Sequence, residues 1–233
     1  MIYDSPHYRI MGDRSLLVEL GDDVSRDVNR RVRKLCFGLE HAQVAAVTEL
    51  LPGYRSLMVI YDPLKIALPA LKVKIAGVFS RIDQFEAPAP NELKVPVVYG
   101  GEFGPDLEWV ASYHDIPQQE VIHRHCAVTY QVYMIGFTPG YPYMGELPDE
   151  LVTPRRDTPR VRIPQGSVGI AQKQTGIYPS ESPGGWQIIG RTPLKLFDPD
   201  QKPPSLLQSG DLVTFYPIKA EEFSGWKAKK PSK

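Results

Sequence analysis

Between Gly136 and Arg191 the chain reads GFTPGYPYMGELPDELVTPRRDTPRVRIPQGSVGIAQKQTGIYPSESPGGWQIIGR, and Pro or Gly interrupts it so often that no long helix fits. Pro removes a backbone donor and fixes φ, while Gly admits positive φ, so their repetition around short apolar runs dictates turns between short strands. The segment is read as compact β structure with shaped loops, and as the place to seek function.

The flanks extend this reading. Leu93–Tyr99 reads as a strand, followed by the turn Gly100–Asp106, a helix through Leu107, Val110 and Tyr113, and a second short helix from near Pro117. Val128, Tyr130, Val132 and Met134 alternate with polar or smaller neighbours, and Val161–Ile163, Val168–Ala171, Trp186–Ile189 and Leu212–Tyr216 supply further strands. Many short strands separated by tight turns close most economically into a small barrel.

The first ninety residues follow a different pattern. Tyr8–Leu20 reads as a strand or hairpin, and Ser25 as the N-cap of a helix whose apolar stripe is Val28, Val32, Leu35 and Leu39. The basic run Arg30, Arg31, Arg33 and Lys34 then falls on its solvated face. Val44–Leu51 and Ser56–Tyr61, separated by Pro52-Gly53-Tyr54, predict an antiparallel pair, and Leu68, Leu71, Ile75, Val78 and Ile82 a second helix with Pro69 in its first turn.

Strand, helix, strand, strand, helix is satisfied by a ferredoxin-like α/β sandwich if one further strand completes the sheet. The expected fold class is therefore α+β, with a β-barrel following the sandwich. Ala87-Pro88-Ala89-Pro90-Asn91 breaks every periodicity and reads as a linker, giving domains at 1–90 and 91–218 and a mobile tail at 219–233.

Composition excludes several function classes. Lys+Arg and Asp+Glu both total 27, so no overall charge points to nucleic acid or to an acidic membrane. No apolar run reaches the length of a membrane span and the N-terminus lacks a signal-peptide core, so the protein is expected in the cytoplasm. Cys36 and Cys126 are the two cysteines and read as ordinary thiols.

A metal reading of His123 and His125 fails on spacing, because residues two apart on a helix point away from each other and no further ligands stand at a recognisable interval. His125 is read instead as a hydrogen-bonded histidine at the junction of helix and strand. The Gly100–Gly104 loop lacks the spacing and Lys-Ser/Thr ending of a phosphate loop and is read as structural. Around Pro164–Gly169 and Ser182–Trp186, however, Arg160, Ser167, Gln174, Tyr178, Trp186 and Arg191 are densely interleaved with tight turns. That mixture suits a pocket for neutral polar ligands or carboxylates.

GFTPGYPYMGELP (Gly136–Pro148), TPRRDTPRVRIPQGSVGIAQKQTGIYP (Thr153–Pro179) and SPGGWQIIGRTPLKLFD (Ser182–Asp198) closely resemble the allophanate hydrolase subunit one family. Leu17-Val18-Glu19, Asn29-Arg30-Arg31-Val32, Pro52–Leu57 and Tyr61-Asp62-Pro63 resemble the family's N-terminal pattern. The resemblance implies a ferredoxin-like first domain and a cyclophilin-like barrel. Gln165, Gln172 and Lys173 depart from it, standing where the family usually carries small residues.

The family includes the B subunit of bacterial 5-oxoprolinase and a Bacillus inhibitor of a sporulation histidine kinase. The resemblance implies a subunit inactive alone that joins subunits A and C to open 5-oxoproline to glutamate, with ATP and Mg used at the level of the complex. Arg155, Arg156, Arg160 and Arg191 would then help stabilise the charged transition state. Exposed Phe137, Pro139, Tyr141 and Tyr143 form the expected partner interface, for the C subunit or for a sensor histidine kinase. The alternatives are that inhibitory role and allophanate or urea chemistry.

Overall fold

In the computed structural model, which describes residues 1–226, the Ser25 hydroxyl accepts from the Val28 amide at 3.3 Å and starts α1 (Arg26–His41). The cap satisfies an amide that has no partner within the helix. Val28, Val32, Leu35 and Leu39 are all buried, as their spacing requires. The basic run is less solvated than expected. Arg31 donates to the Tyr3 carbonyl and lies 5.0 Å from the Phe79 ring centre, and Lys34 faces Asp83.

Four strands form the first sheet: β1 (Ile2–Ile10), β2 (Ser15–Gly21), β3 (Val47–Pro52) and β4 (Ser56–Tyr61), in the antiparallel order β1-β2-β4-β3. The strand that completes the sheet is thus the N-terminal one, pairing Tyr8 with Val18 and Ile10 with Leu16. α2 (Leu68–Phe79) carries Pro69 in its first turn and buries Leu71, Ile75, Val78 and Phe79. Leu16, Val18, Leu57 and Val59 meet these helical residues in one apolar cluster. Asn29, fully buried on α1, gives its side-chain amide to the carbonyls of Gly53 and Tyr54 and ties the helix to the β3–β4 turn.

The described residues divide into two compact units, Met1–Ala89 and a second that begins at Pro90. The second opens with β5 (Glu92–Tyr99), then α3 (Leu107–Tyr113), α4 (Gln118–Cys126) and β6 (Thr129–Ile135). The turn-rich segment resolves into β7 (Pro142–Gly145), β8 (Arg160–Ile163), β9 (Ser167–Ala171), β10 (Gln174–Ile177), β11 (Ser182–Gly184) and β12 (Gln187–Arg191). β13 (Leu212–Pro217) follows.

The expected closed barrel is present, in the order β10-β7-β6-β13-β5-β12-β9. β13 runs parallel to β5, Leu212 opposite Glu92 and Pro217 opposite Val97, so the last strand seals the barrel against the first. Val95, Val97, Val132, Met144, Val168, Ile170, Ile189 and Val213 fill its interior, joined by Val110 of α3 and Val121 of α4. β8 and β11 form a separate two-stranded ribbon.

The segment expected as a tail contains α5 (Ala220–Ser224), whose Phe223 ring packs 4.9 Å from Phe103 and 5.5 Å from the Arg191 guanidinium carbon. Two aromatic and cationic contacts hold what charge content alone suggested would be loose. Residues 227–233 lie outside the described residues.

Candidate functional site

Asp106 stands at the end of the turn after β5. Its amide donates to the Ile188 carbonyl at 2.9 Å, and its Oδ2 accepts from the Ile188 amide at 2.6 Å. A Cβ at Gly104 would lie 2.1 Å from the Ile189 carbonyl oxygen, so only glycine lets this turn close onto β12. The carboxylate so placed is 3% exposed, and arginines take up both of its oxygens. Arg160 donates to Oδ2 and Oδ1 at 2.7 Å each, and Arg156 to Oδ1 at 3.0 Å.

A bidentate guanidinium fixes orientation as well as charge, so Arg160, at the start of the β8–β11 ribbon, is a rigid post tied to Asp106. Two cations share one carboxylate, which leaves the cluster net positive. Asp106 escaped sequence reasoning because its partners lie 50 and 54 residues away and no local pattern encodes that pairing. A carboxylate ending a glycine-rich turn, in a chain with an arginine-dense segment elsewhere, was the available signal.

Beside this post lies an aromatic cluster. The Tyr141 ring meets Tyr143 at 4.8 Å, Tyr178 at 5.1 Å edge-on, Phe137 at 5.7 Å and Trp186 at 6.0 Å, and Tyr143 lies 6.1 Å from Trp186. Added Cβ atoms at Gly176 and Gly184 would come within 2.7 Å of the Tyr141 hydroxyl and 2.4 Å of the Tyr178 hydroxyl. Glycine at those two positions is what lets the phenols sit against the strands. Burial pushes the Tyr178 phenol up to about 12, against an opposing hydrogen bond from Tyr141 and the charges of Arg155 and Arg160.

The six expected pocket residues separate into groups. Arg160, Tyr178 and Trp186 meet in the cluster just described, with Tyr178 and Trp186 buried. Ser167 and Arg191 are cross-strand partners on β9 and β12, with Ser167 buried and the Arg191 Nε–H donating to the Gln165 carbonyl at 2.6 Å. Gln174 opens β10 opposite Gly145 and is half-buried. Two cavities, one lined by Lys195, Asp198, Gln201 and Pro203–Leu206 and one by Leu39, Glu40, Gln43, Val44 and Val47–Leu50, include none of the six.

In the expected partner interface, Phe137 is 62% exposed and Pro139 is exposed, while Tyr143 is half-buried. Tyr141 was expected at the surface and is buried. Its ring is the hub of the cluster, and four aromatic neighbours leave it 2% exposed. Phe137 holds φ at +66°, a conformation that bulky side chains rarely adopt, clamped by turn bonds from Thr138 to Gly136 and from Tyr141 to Thr138.

His125 has no exposed surface. Its Nε2 lies 3.0 Å from the Thr175 hydroxyl and its Nδ1 2.8 Å from the Tyr99 hydroxyl. Thr175 donates its proton to the Gly169 carbonyl at 3.2 Å, so Nε2 carries hydrogen and Nδ1 accepts from Tyr99. Burial drives the imidazole down to about 3. This ring is a neutral brace between α4, β5 and β10. Among the described residues no cluster of three or more His, Cys, Asp or Glu side chains could hold a metal ion.

Residues 6–207 match the family model for the carboxyltransferase domain, subdomain C and D. The 5-oxoprolinase B subunit of Bacillus subtilis is 39% identical over 227 residues, spanning 93% of this chain and 95% of the relative. Among solved structures, TTHA0988 superposes with a TM-score of 0.78 at 34% identity over 89% of this chain, and the urea amidolyase of K. lactis with 0.77 at 25% identity over 94%. This chain spans 40% of the first of those chains and 15% of the second. By the match over residues 6–207 and the near end-to-end likeness to the Bacillus relative, the chain belongs to the family of carboxyltransferase domain subdomains C and D, which its motifs present as allophanate hydrolase subunit one.

Proposed function

We propose that this chain is the B subunit of an ATP-dependent 5-oxoprolinase and works with subunits A and C. The observation that carries the reading is the 39% identity with a protein of that name across 95% of its length. Opening 5-oxoproline adds water across a lactam C–N bond. A lactam is a poor electrophile, and phosphoryl transfer from ATP to its oxygen, with ADP leaving, makes the ring carbon a better one for water. The adduct breaks its C–N bond to leave an acyl phosphate, which a second water hydrolyses to glutamate and phosphate. Cationic and amide donors then stabilise the charge that develops.

The contribution of this chain is a preorganised cationic and aromatic face. Arg160, fixed by Asp106, stands beside Tyr178 and Trp186, while Gln174, Ser167 and Arg191 complete the wider binding wall together with the partner. Phe137, Pro139 and Tyr143 form the docking edge for the C subunit.

ATP and its Mg belong to another subunit in this reading. The Gly100–Gly104 turn does not fit a phosphate, because the amides of Gly100, Phe103 and Gly104 already donate to backbone carbonyls. Glutamate release from 5-oxoproline by the purified chain, alone and with subunits A and C, with and without ATP, tests the proposal. Release by the full set with ATP alone supports it, and no release from a verified, folded complex rejects it. The likeness to the K. lactis urea amidolyase favours allophanate hydrolysis as the second reading, assayed as ammonia release from the same complex.

A further inference from the structure

Sorting the arginines of the site by what already neutralises each leaves one over. Arg156 and Arg160 share Asp106, Arg162 pairs with Glu181, and Arg191 donates to Gln165 and lies over Phe223. Arg155 is exposed, and among the described residues it takes part in no ion pair.

Its backbone is nonetheless held on both sides. The Pro154 carbonyl accepts from the Gln187 side-chain amide at 3.2 Å, and the Arg156 amide donates to the Gly185 carbonyl at 2.8 Å. Both tethers run to the segment that carries Trp186, and the Arg156 side chain adds a third through Asp106. An uncommitted cation is thereby stapled beside the ring cluster. Its charge is felt there: burial raises the phenols of Tyr143 and Tyr178, and Arg155 opposes both rises.

We propose that Arg155 is the anchor for the substrate carboxylate, holding it bidentately beside Tyr143 so that the lactam ring lies toward Trp186. The assignment rests on the 5-oxoprolinase reading, because 5-oxoproline carries a carboxylate that ring opening leaves unchanged. Arginine suits the task by geometry: its planar fork matches a carboxylate, and a fork freed of internal partners has both arms to give. Arg160 lacks that freedom, since both arms are spent on Asp106.

In place of the transition-state role expected of it, Arg155 here makes a contact equal in substrate and transition state, which changes KM and leaves kcat alone. In the complex with subunits A and C, Arg155→Ala and Arg155→Gln should raise KM for 5-oxoproline about 10- to 100-fold, with kcat within about twofold, the loss expected for one charge-assisted pair. Arg155→Lys should recover part of the affinity, because a point charge remains without the fork. Binding of the neutral carboxamide of 5-oxoproline should be insensitive to all three changes.

Arg155→Gln keeps the length and polarity of the side chain and decides the question if the alanine variant is unstable. A working wild-type complex whose KM is unmoved in Arg155→Gln overturns this inference alone. A wild-type complex that releases no glutamate rejects the enzyme reading, and this inference with it.

Discussion

His125 has both ring nitrogens committed and no solvent beside it, so its charged form is excluded from the folded chain. In the unfolded chain the same imidazole takes up a proton at its ordinary value of 6.5, whereas in the fold it resists down to about 3. The unfolded state therefore binds more protons between those limits. This part of the stability is fully present above 6.5 and is lost as the pH falls toward 3, at up to about 1.4 kcal/mol per unit. Urea midpoints measured from pH 7 to pH 4 should fall more steeply for the wild type than for His125→Gln, which has no proton to gain. Equal slopes would place the acid sensitivity elsewhere. Sequence reasoning reached His125 as a bonded histidine at a junction, since it lies between a helical and a strand pattern. Its partner Thr175 is 50 residues away, and no spacing announced it.

At the scale of elements, two helical glycines with the same intrinsic propensity invite opposite predictions. Gly77 on α2 is exposed, and a Cβ there would meet nothing within 4 Å. Gly77→Ala should stabilise the protein by about 1 kcal/mol, because it removes backbone freedom from the unfolded chain and encounters no obstacle. Gly38 on α1 is buried, and its Cβ would stand 2.7 Å from Val78 Cγ1 and 2.9 Å from the Phe85 ring. Gly38→Ala should destabilise by roughly 1–3 kcal/mol through overpacking. Thermal midpoints that rise for both would show that helix propensity outweighs the close packing of α1 on its neighbours. The helices themselves were legible, because a cap, a proline in the first turn and a stripe of apolar residues are local signals. β7, β10 and β11 were not legible, since each is three or four residues long and interrupted by Pro or Gly, whereas the equally short β8 shows alternation in Val161 and Ile163. What makes them strands is pairing with segments distant in the chain.

For the whole molecule, the division near Pro90 and the barrel were both anticipated by a change of pattern, from helix-length periodicity to short strands between turns. The strand pairing that closes the barrel was not. β13 pairs with β5 across more than a hundred intervening residues, and a parallel pairing of that span leaves no mark on either strand's own sequence. The units carry separate apolar clusters, one around Leu57 and Leu71 and one around Val97 and Val213. All three tryptophans, Trp109, Trp186 and Trp226, belong to the second unit, while the two longest helices, α1 and α2, belong to the first. Tryptophan fluorescence therefore reports on the barrel, and helical circular dichroism draws on both units, with the larger share from the 16 and 12 residues of α1 and α2 against 7, 9 and 5 in α3, α4 and α5. Leu57→Ala removes a fully buried side chain from the first core at an expected cost of about 2–5 kcal/mol. In a urea titration it should lower the midpoint seen by circular dichroism and leave the fluorescence midpoint in place. Val97→Ala, in the barrel core, should lower the fluorescence midpoint and move the circular-dichroism midpoint less. If either substitution moves both probes together, the two cores unfold as one cooperative unit, and the stability of each is then set by the chain as a whole.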